Sequence, residues 1–173
     1  MQKCPQVSTN FRLPAALDWL DAILEFNVIL SAILAVIHPN LYNVGWQTTK
    51  CLRDTLKIGP QDVLSWWASI FSSVAIISNC STPSHHNGSL RCHWYDILVT
   101  LERYWNCNLE LPGLGISLKY GLGTVVGISE KALEHMVPSF EGDRVCYAYF
   151  IRNDVHEWVN ILASDWMYTK YYK

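Results

Sequence analysis

Ser72-Ser-Val-Ala-Ile-Ile-Ser-Asn-Cys-Ser-Thr-Pro-Ser-His-His-Asn-Gly88 marks the change from a helical first third to a strand-rich remainder. Ser72 to Asn79 is rich in branched apolar side chains and ends at a turn former, which is the composition of a strand. Cys80 to Gly88 loses that pattern, and Pro83 and Gly88 mark a loop. Upstream, the apolar residues recur at helical spacing instead. Leu17 to Ile37 is predicted as one long helix, ending at His38 because a residue before proline favours extended backbone. Its apolar residues cover most of the circumference, as in a helix packed against a sheet. Asn40 to Leu56 is predicted as a second helix capped by Asn40, and Gln61 to Phe71 as a third, after the break at Gly59-Pro60.

Downstream, short strands are predicted at Asp96–Leu101, at Leu109–Leu111 and Ile116–Leu118 around the Pro112-Gly113 turn, at Gly123–Ile128 and at Val145–Ile151. A closing helix is predicted over Asp154–Leu162. Strands of this length, with turn signals every ~8–12 residues, characterise a sandwich or jelly roll. The expected class is therefore α+β, a jelly-roll core with N-terminal packing helices. The 173 residues are read as a single domain, with helical support over 1–70, core over 71–152, and helix and tail over 153–173.

Half of the residues are hydrophobic and 13% are aromatic, which excludes a disordered chain. The net charge of −2 carries no basic footprint, so electrostatics alone announce no nucleic-acid partner, although a local basic groove is compatible with it. The six cysteines form no Cys-x-x-Cys pair, and the first residues lack an apolar signal region. Free thiols, an intracellular location and chance sequons at Asn79 and Asn87 follow as expectations. Val28 to Ile37 is too short to cross a bilayer, so no membrane is expected.

His85-x-Asn87, the isolated His135 and Arg144 form the remaining pattern. A His-x-acid pair with a later histidine is how two imidazoles and a carboxylate hold Fe(II) on one face, leaving positions open for a cosubstrate and O₂. An arginine beyond them suits a planar carboxylate of 2-oxoglutarate. Cys146 and Ala148 share a strand face with Arg144 and either line that pocket or simply fill the core. Spacing alone leaves a second reading open, because a histidine in an apolar segment is commonly a hydrogen-bonded structural residue. His93 and His156 have no motif partner and are read as structural. Gly113-x-Gly115 and Gly121-x-Gly123 are read as turns, since they lack the strand–turn–helix setting of a phosphate loop. Trp66-Trp67 and the tyrosine-rich tail from Tyr168 are read as packing and as a frayed end rather than as base-stacking platforms.

From His38-Pro39 to Trp158 the chain resembles the fungal, transposon-associated branch of the TET/JBP dioxygenases. The matching phrases are Val74-Ala-Ile-Ile-Ser-Asn79, Thr82-Pro-Ser-His85, Trp94-Tyr-Asp-Ile-Leu-Val99, Leu111-Pro-Gly-Leu-Gly115, Gly123-Thr-Val-Val-Gly-Ile-Ser129, Leu133-Glu-His135 and Gly142-Asp-Arg-Val-Cys-Tyr-Ala-Tyr-Phe150. The resemblance implies a double-stranded β-helix, Fe(II) and 2-oxoglutarate as cofactors, and O₂-dependent oxidation of a methylated base such as 5-methylcytosine in DNA. It implies metal ligands at His85, Asn87 and His135, a 2-oxoglutarate anchor at Arg144 beside Cys146, and a monomer that meets methylated DNA in the nucleus.

Asn87 stands where that family has aspartate, and His86 where it has arginine. An amide oxygen offers a dipole but no charge, and Coulomb terms at ~2 Å stay large even at an effective dielectric of about 20. Iron binding should weaken by several kcal/mol unless another carboxylate replaces the missing one. Asp96 and Glu102 are the acids nearest in the following strand region, and His86 should point away from His85. Impaired oxidation is thus the first expectation, and an inactive jelly roll that binds DNA or protein the alternative.

Overall fold

A computed structural model describes residues 4–56, 62–88, 90–168 and 170. They divide into two compact units. One holds the residues up to Ser72 together with Asn153–Ser164, and the other holds Ser73–Arg152 with the segment from Asp165.

The first unit is helical: α1 Ala15–Ala22, α2 Leu24–Ile37, α3 Pro39–Thr55, α4 Val63–Trp66 and α5 Asn153–Val159. The predicted helix over Leu17–Ile37 is two helices, bent by 51° at Ile23. Apolar residues keep helical spacing on both sides of that break, so periodicity could not reveal it. His38 takes the extended backbone expected before Pro39, at φ −151 and ψ 70. Its Nδ1 accepts the Leu41 N–H at 3.2 Å, so His38 caps α3, not Asn40. Pro39 occupies the first helical position, where a missing N–H costs nothing.

The helix predicted over Gln61–Phe71 shrinks to the single turn of α4, capped by Asp62, whose carboxylate accepts the Leu64 N–H. Arg53 takes the carbonyls of Leu64 and Trp67, and the Trp67 indole donates to the Phe71 carbonyl at 2.7 Å. Those side chains satisfy the backbone without further helix. Gly59, Pro60 and Gln61 lie outside the described residues. His156 is buried on α5 with Nδ1 3.4 Å from Thr48 Oγ1 on α3, a structural histidine as read. Among the described residues, no single helix is long and apolar enough to cross a membrane.

Gly45 lets α3 meet the chain at Ile70, because a Cβ there would stand 2.7 Å from the Ile70 carbonyl oxygen. Gly45→Ala is expected to cost ~1–3 kcal/mol in urea denaturation, as overpacking does. An unchanged midpoint would contradict this close approach.

The second unit is built of antiparallel strands: β1 Ser73–Ser78, β2 Thr82–His85, β3 Asp96–Thr100, β4 Tyr104–Trp105, β5 Asn108–Leu111, β6 Ile116–Lys119, β7 Val125–Ile128, β8 His135–Val137, β9 Glu141–Gly142 and β10 Val145–Phe150. One sheet runs β1-β10-β3-β7, the other β2-β8-β5-β6, and β4-β9 form a separate ribbon. Leu98, Cys146 and Ala148 of the first sheet share a hydrophobic core with Leu109, Leu111 and Val137 of the second. Two four-stranded sheets closed over one core make the predicted jelly roll.

Four of these strands were not predicted: β2, β8 and the two-residue β4 and β9. Thr82–His85 was read as loop because of Pro83, and the pairing of β2 with β8 shifts register between Thr82 and His85, as a proline in an edge strand requires. His135–Val137 is too short to show a period of two.

Candidate metal centre

β2 and β8 lie side by side, with His85 opposite His135. Their ring centroids stand 4.3 Å apart. His85 Nδ1 donates to the Pro83 carbonyl at 2.9 Å, and His135 Nδ1 to the Leu133 carbonyl at 3.0 Å, each two residues back in its own chain. A carbonyl oxygen only accepts, so this network assigns the proton to Nδ1 and leaves a lone pair on each Nε2. That is the tautomer and the outer hydrogen bond of a metal-binding imidazole. His135 is buried and His85 exposed, so the pair has one wet side.

Asn87 follows β2 and is laced to the turn between β7 and β8. Its backbone N–H donates to the Glu130 carbonyl at 2.9 Å, and Nδ2 donates to Glu130 Oε2 at 3.3 Å. The other carboxylate oxygen, Oε1, lies 3.7 Å from His135 Nε2. Ser129 shapes the turn: its carbonyl accepts the Ala132 and Leu133 N–H groups, and its hydroxyl donates to the Cys92 carbonyl. The Glu130 N–H donates to Asp96 Oδ2 at 3.3 Å. Burial first, and Glu130's charge second, hold the Asp96 carboxyl well above the usual range. His86 points away, with Nδ1 donating to the Lys131 carbonyl at 3.2 Å, as predicted for the neighbour of His85.

Arg144 immediately precedes β10 and is 2% exposed. Nη1 donates to the Cys80 carbonyl at 2.8 Å, and the guanidinium lies 5.8 Å from the ring centres of both Tyr120 and Phe140. Its Nε has no hydrogen-bond partner, and among the described residues no carboxylate reaches it. Cys107 and Cys146 are close enough to feel the guanidinium, yet burial pushes both thiols up, so neither supplies a balancing thiolate. Cys146 Sγ meets the Tyr120 hydroxyl at 3.2 Å, and burial drives that phenol upward too. A buried cation with an unpaired donor is costly unless an anion completes it.

Residues 3–153 match the Tet_JBP family, described as the oxygenase domain of the 2OGFeDO superfamily. The chain belongs to the Tet_JBP family. Among solved structures, this Tet_JBP chain is similar to NgTET1 in complex with 5mC DNA, with a TM-score of 0.65, 14% identity, and coverage of 87% of this chain and 56% of that one. At that identity the likeness shows the fold, a TET-type jelly roll, and this chain spans little more than half of the NgTET1 chain. No curated protein matches it.

The superfamily implies Fe(II) and 2-oxoglutarate in general terms. The two imidazoles fit a first-row metal and the unbalanced Arg144 fits a dianionic keto acid. Among the described residues, no three His, Cys, Asp or Glu side chains already converge as a metal cage. Glu130 is the oxygen donor placed beside His135, and the Asn87 amide is hydrogen-bonded to it. Of the acids singled out in the sequence, Asp96 supports the Glu130 backbone and Glu102 is exposed. Glu130 was missed because it lies 43 residues beyond Asn87, on a turn with no periodicity. Tyr120 was missed as well, being one aromatic among many.

The thiols give a direct check of this pocket. Iodoacetamide at pH 8 is expected to modify exposed Cys4, Cys80 and Cys92 at least about tenfold faster than buried Cys107 and Cys146, read by peptide mass spectrometry. Rapid labelling of Cys146 would mean that a thiolate already balances Arg144.

Proposed function

We propose that this Tet_JBP chain is an Fe(II)- and 2-oxoglutarate-dependent dioxygenase domain that oxidises a methylated base in DNA, 5-methylcytosine or a similar one. Turnover is lowered because Asn87 stands at the position of a metal-ligand aspartate. The reading rests above all on the His85–His135 pair, whose Nδ1 atoms are both anchored and whose Nε2 atoms are both left to bind. When bound, iron and 2-oxoglutarate supply the O₂-dependent oxidation of a carbon–hydrogen bond.

The chain's own residues bind and orient. The Nε2 atoms of His85 and His135 hold the metal, and their backbone partners fix both rings. Arg144 pairs with the far carboxylate of 2-oxoglutarate, and Tyr120 and Phe140 around the guanidinium keep water from that contact. Tyr120 and Cys146 stay protonated and offer neutral donors to the pocket. The exposed side of His85 is where substrate approaches, and a base reaches it only when turned out of the duplex. The choice of methylated DNA draws on the NgTET1 complex with 5mC DNA.

Asn87 favours a second reading, a jelly roll that keeps its binding surface for DNA or protein and no longer oxidises. Incubation with Fe(II), 2-oxoglutarate and 5-methylcytosine duplex, followed by nucleoside mass spectrometry and succinate assay, separates the two. Oxidised base with matching succinate supports the dioxygenase. Duplex binding without succinate selects the binding module, and succinate only with RNA or small molecules overturns DNA as substrate.

A further inference from the structure

We infer that Glu130 supplies the carboxylate that Asn87 lacks, so that the metal is held by His85, His135 and Glu130. The inference rests on the metal-centre reading above. Glu130 Oε1 is 3.7 Å from His135 Nε2. Two donors each ~2.1 Å from one first-row metal lie ~3.0–3.6 Å apart, depending on the bond angle, so a small side-chain rotation brings the pair into a shared shell. The carboxylate is buried alongside His135, and the described residues give it no lysine or arginine counterion. A metal dication is the partner such a buried anion calls for.

Asn87 holds a position consistent with this exchange. Its Nδ2 donates to Glu130 Oε2, steering the other oxygen toward His135. An aspartate at 87 would repel Glu130 across the same gap, so the amide suits a site whose charge comes from 130. The backbone is equally committed, since the Glu130 carbonyl accepts from Asn87 and the Glu130 N–H is held by Asp96. The two segments are thus pinned together independently of the side chain at 130.

Mn(II) affinity of the full chain, measured by calorimetry and by Mn(II) paramagnetic resonance, tests the assignment. The parent is expected to bind one Mn(II), Glu130→Gln and Glu130→Ala to bind it at least tenfold more weakly, and Asn87→Asp/Glu130→Gln to recover to within threefold of Asn87→Asp. The rise in melting temperature on adding Mn(II) should follow the same order. If His85→Ala and His135→Ala lose Mn(II) while both Glu130 variants stay within twofold of the parent, Glu130 is not a ligand and the histidine centre stands. If the histidine variants bind as the parent does, the metal-centre reading itself falls. A parent that binds no Mn(II) while Asn87→Asp does would also overturn the role of Glu130.

Discussion

Arg144→Met is expected to bind 2-oxoglutarate far more weakly while folding at least as stably as the parent. Removing one partner of a buried, hydrogen-bonded charge pair costs ~2–5 kcal/mol, roughly 30- to 4,000-fold in affinity. Calorimetry with Mn(II) in place of iron, without oxygen, reads that loss. Stability should move the other way. The variant gives up the bond from Nη1 to the Cys80 carbonyl and two ring contacts, but it also removes a cation whose Nε is unpaired. Replacing buried, poorly compensated charge by an apolar side chain of similar volume is neutral or stabilising by ~1–4 kcal/mol. Denaturation without cosubstrate should therefore show a midpoint equal to or above the parent's. A large drop would make Arg144 a structural cation and remove the argument that it awaits an anion.

Asn87→Asp is expected to carry the other large effect. A full charge beside a dication adds ~2–4 kcal/mol to metal affinity after desolvation is counted, and oxidation of 5-methylcytosine duplex should rise with it. Without metal the same change is harmful. It exchanges the bond from Asn87 Nδ2 to Glu130 Oε2, 3.3 Å long, for two facing carboxylates, and stability at neutral pH should fall by ~1–3 kcal/mol. The sign with pH follows from that repulsion. Facing acids have raised folded-state pKa values, so the penalty is absent at low pH and grows as pH rises through them. Melting curves of the variant against pH, with and without Mn(II), check both halves. A variant no less stable than the parent at pH 7.5 without metal would mean that residues 87 and 130 do not face each other.

Strands with branched apolar residues and clear turn partners were legible in the sequence. The β5–β6 hairpin around Pro112-Gly113 and the long β10 fall where their pattern places them. β2 and β8, which carry the paired histidines, were not legible as strands, because a proline and a three-residue length hide the alternation. The histidines themselves were legible through spacing and resemblance, and the cross-strand register brings them together. The capping role of His38 escaped because the sequence offered Asn40, a commoner cap, two residues later. Glu130 escaped for a different reason. Its place is set by the Ser129 turn and by backbone bonds to Asn87 and Asp96, contacts between segments far apart in the chain. No local pattern encodes those.

In the proposed function the imidazoles of His85 and His135 and the guanidinium of Arg144 serve a single ligand. Calorimetric titration of 2-oxoglutarate into the full chain, with and without one equivalent of Mn(II) and in the absence of oxygen, measures that coupling directly. Binding at least tenfold tighter with the metal, with the gain lost in the His85→Ala/His135→Ala variant, is the predicted result. Equal affinity with and without Mn(II), or a metal-dependent gain that survives the loss of both imidazoles, would contradict it.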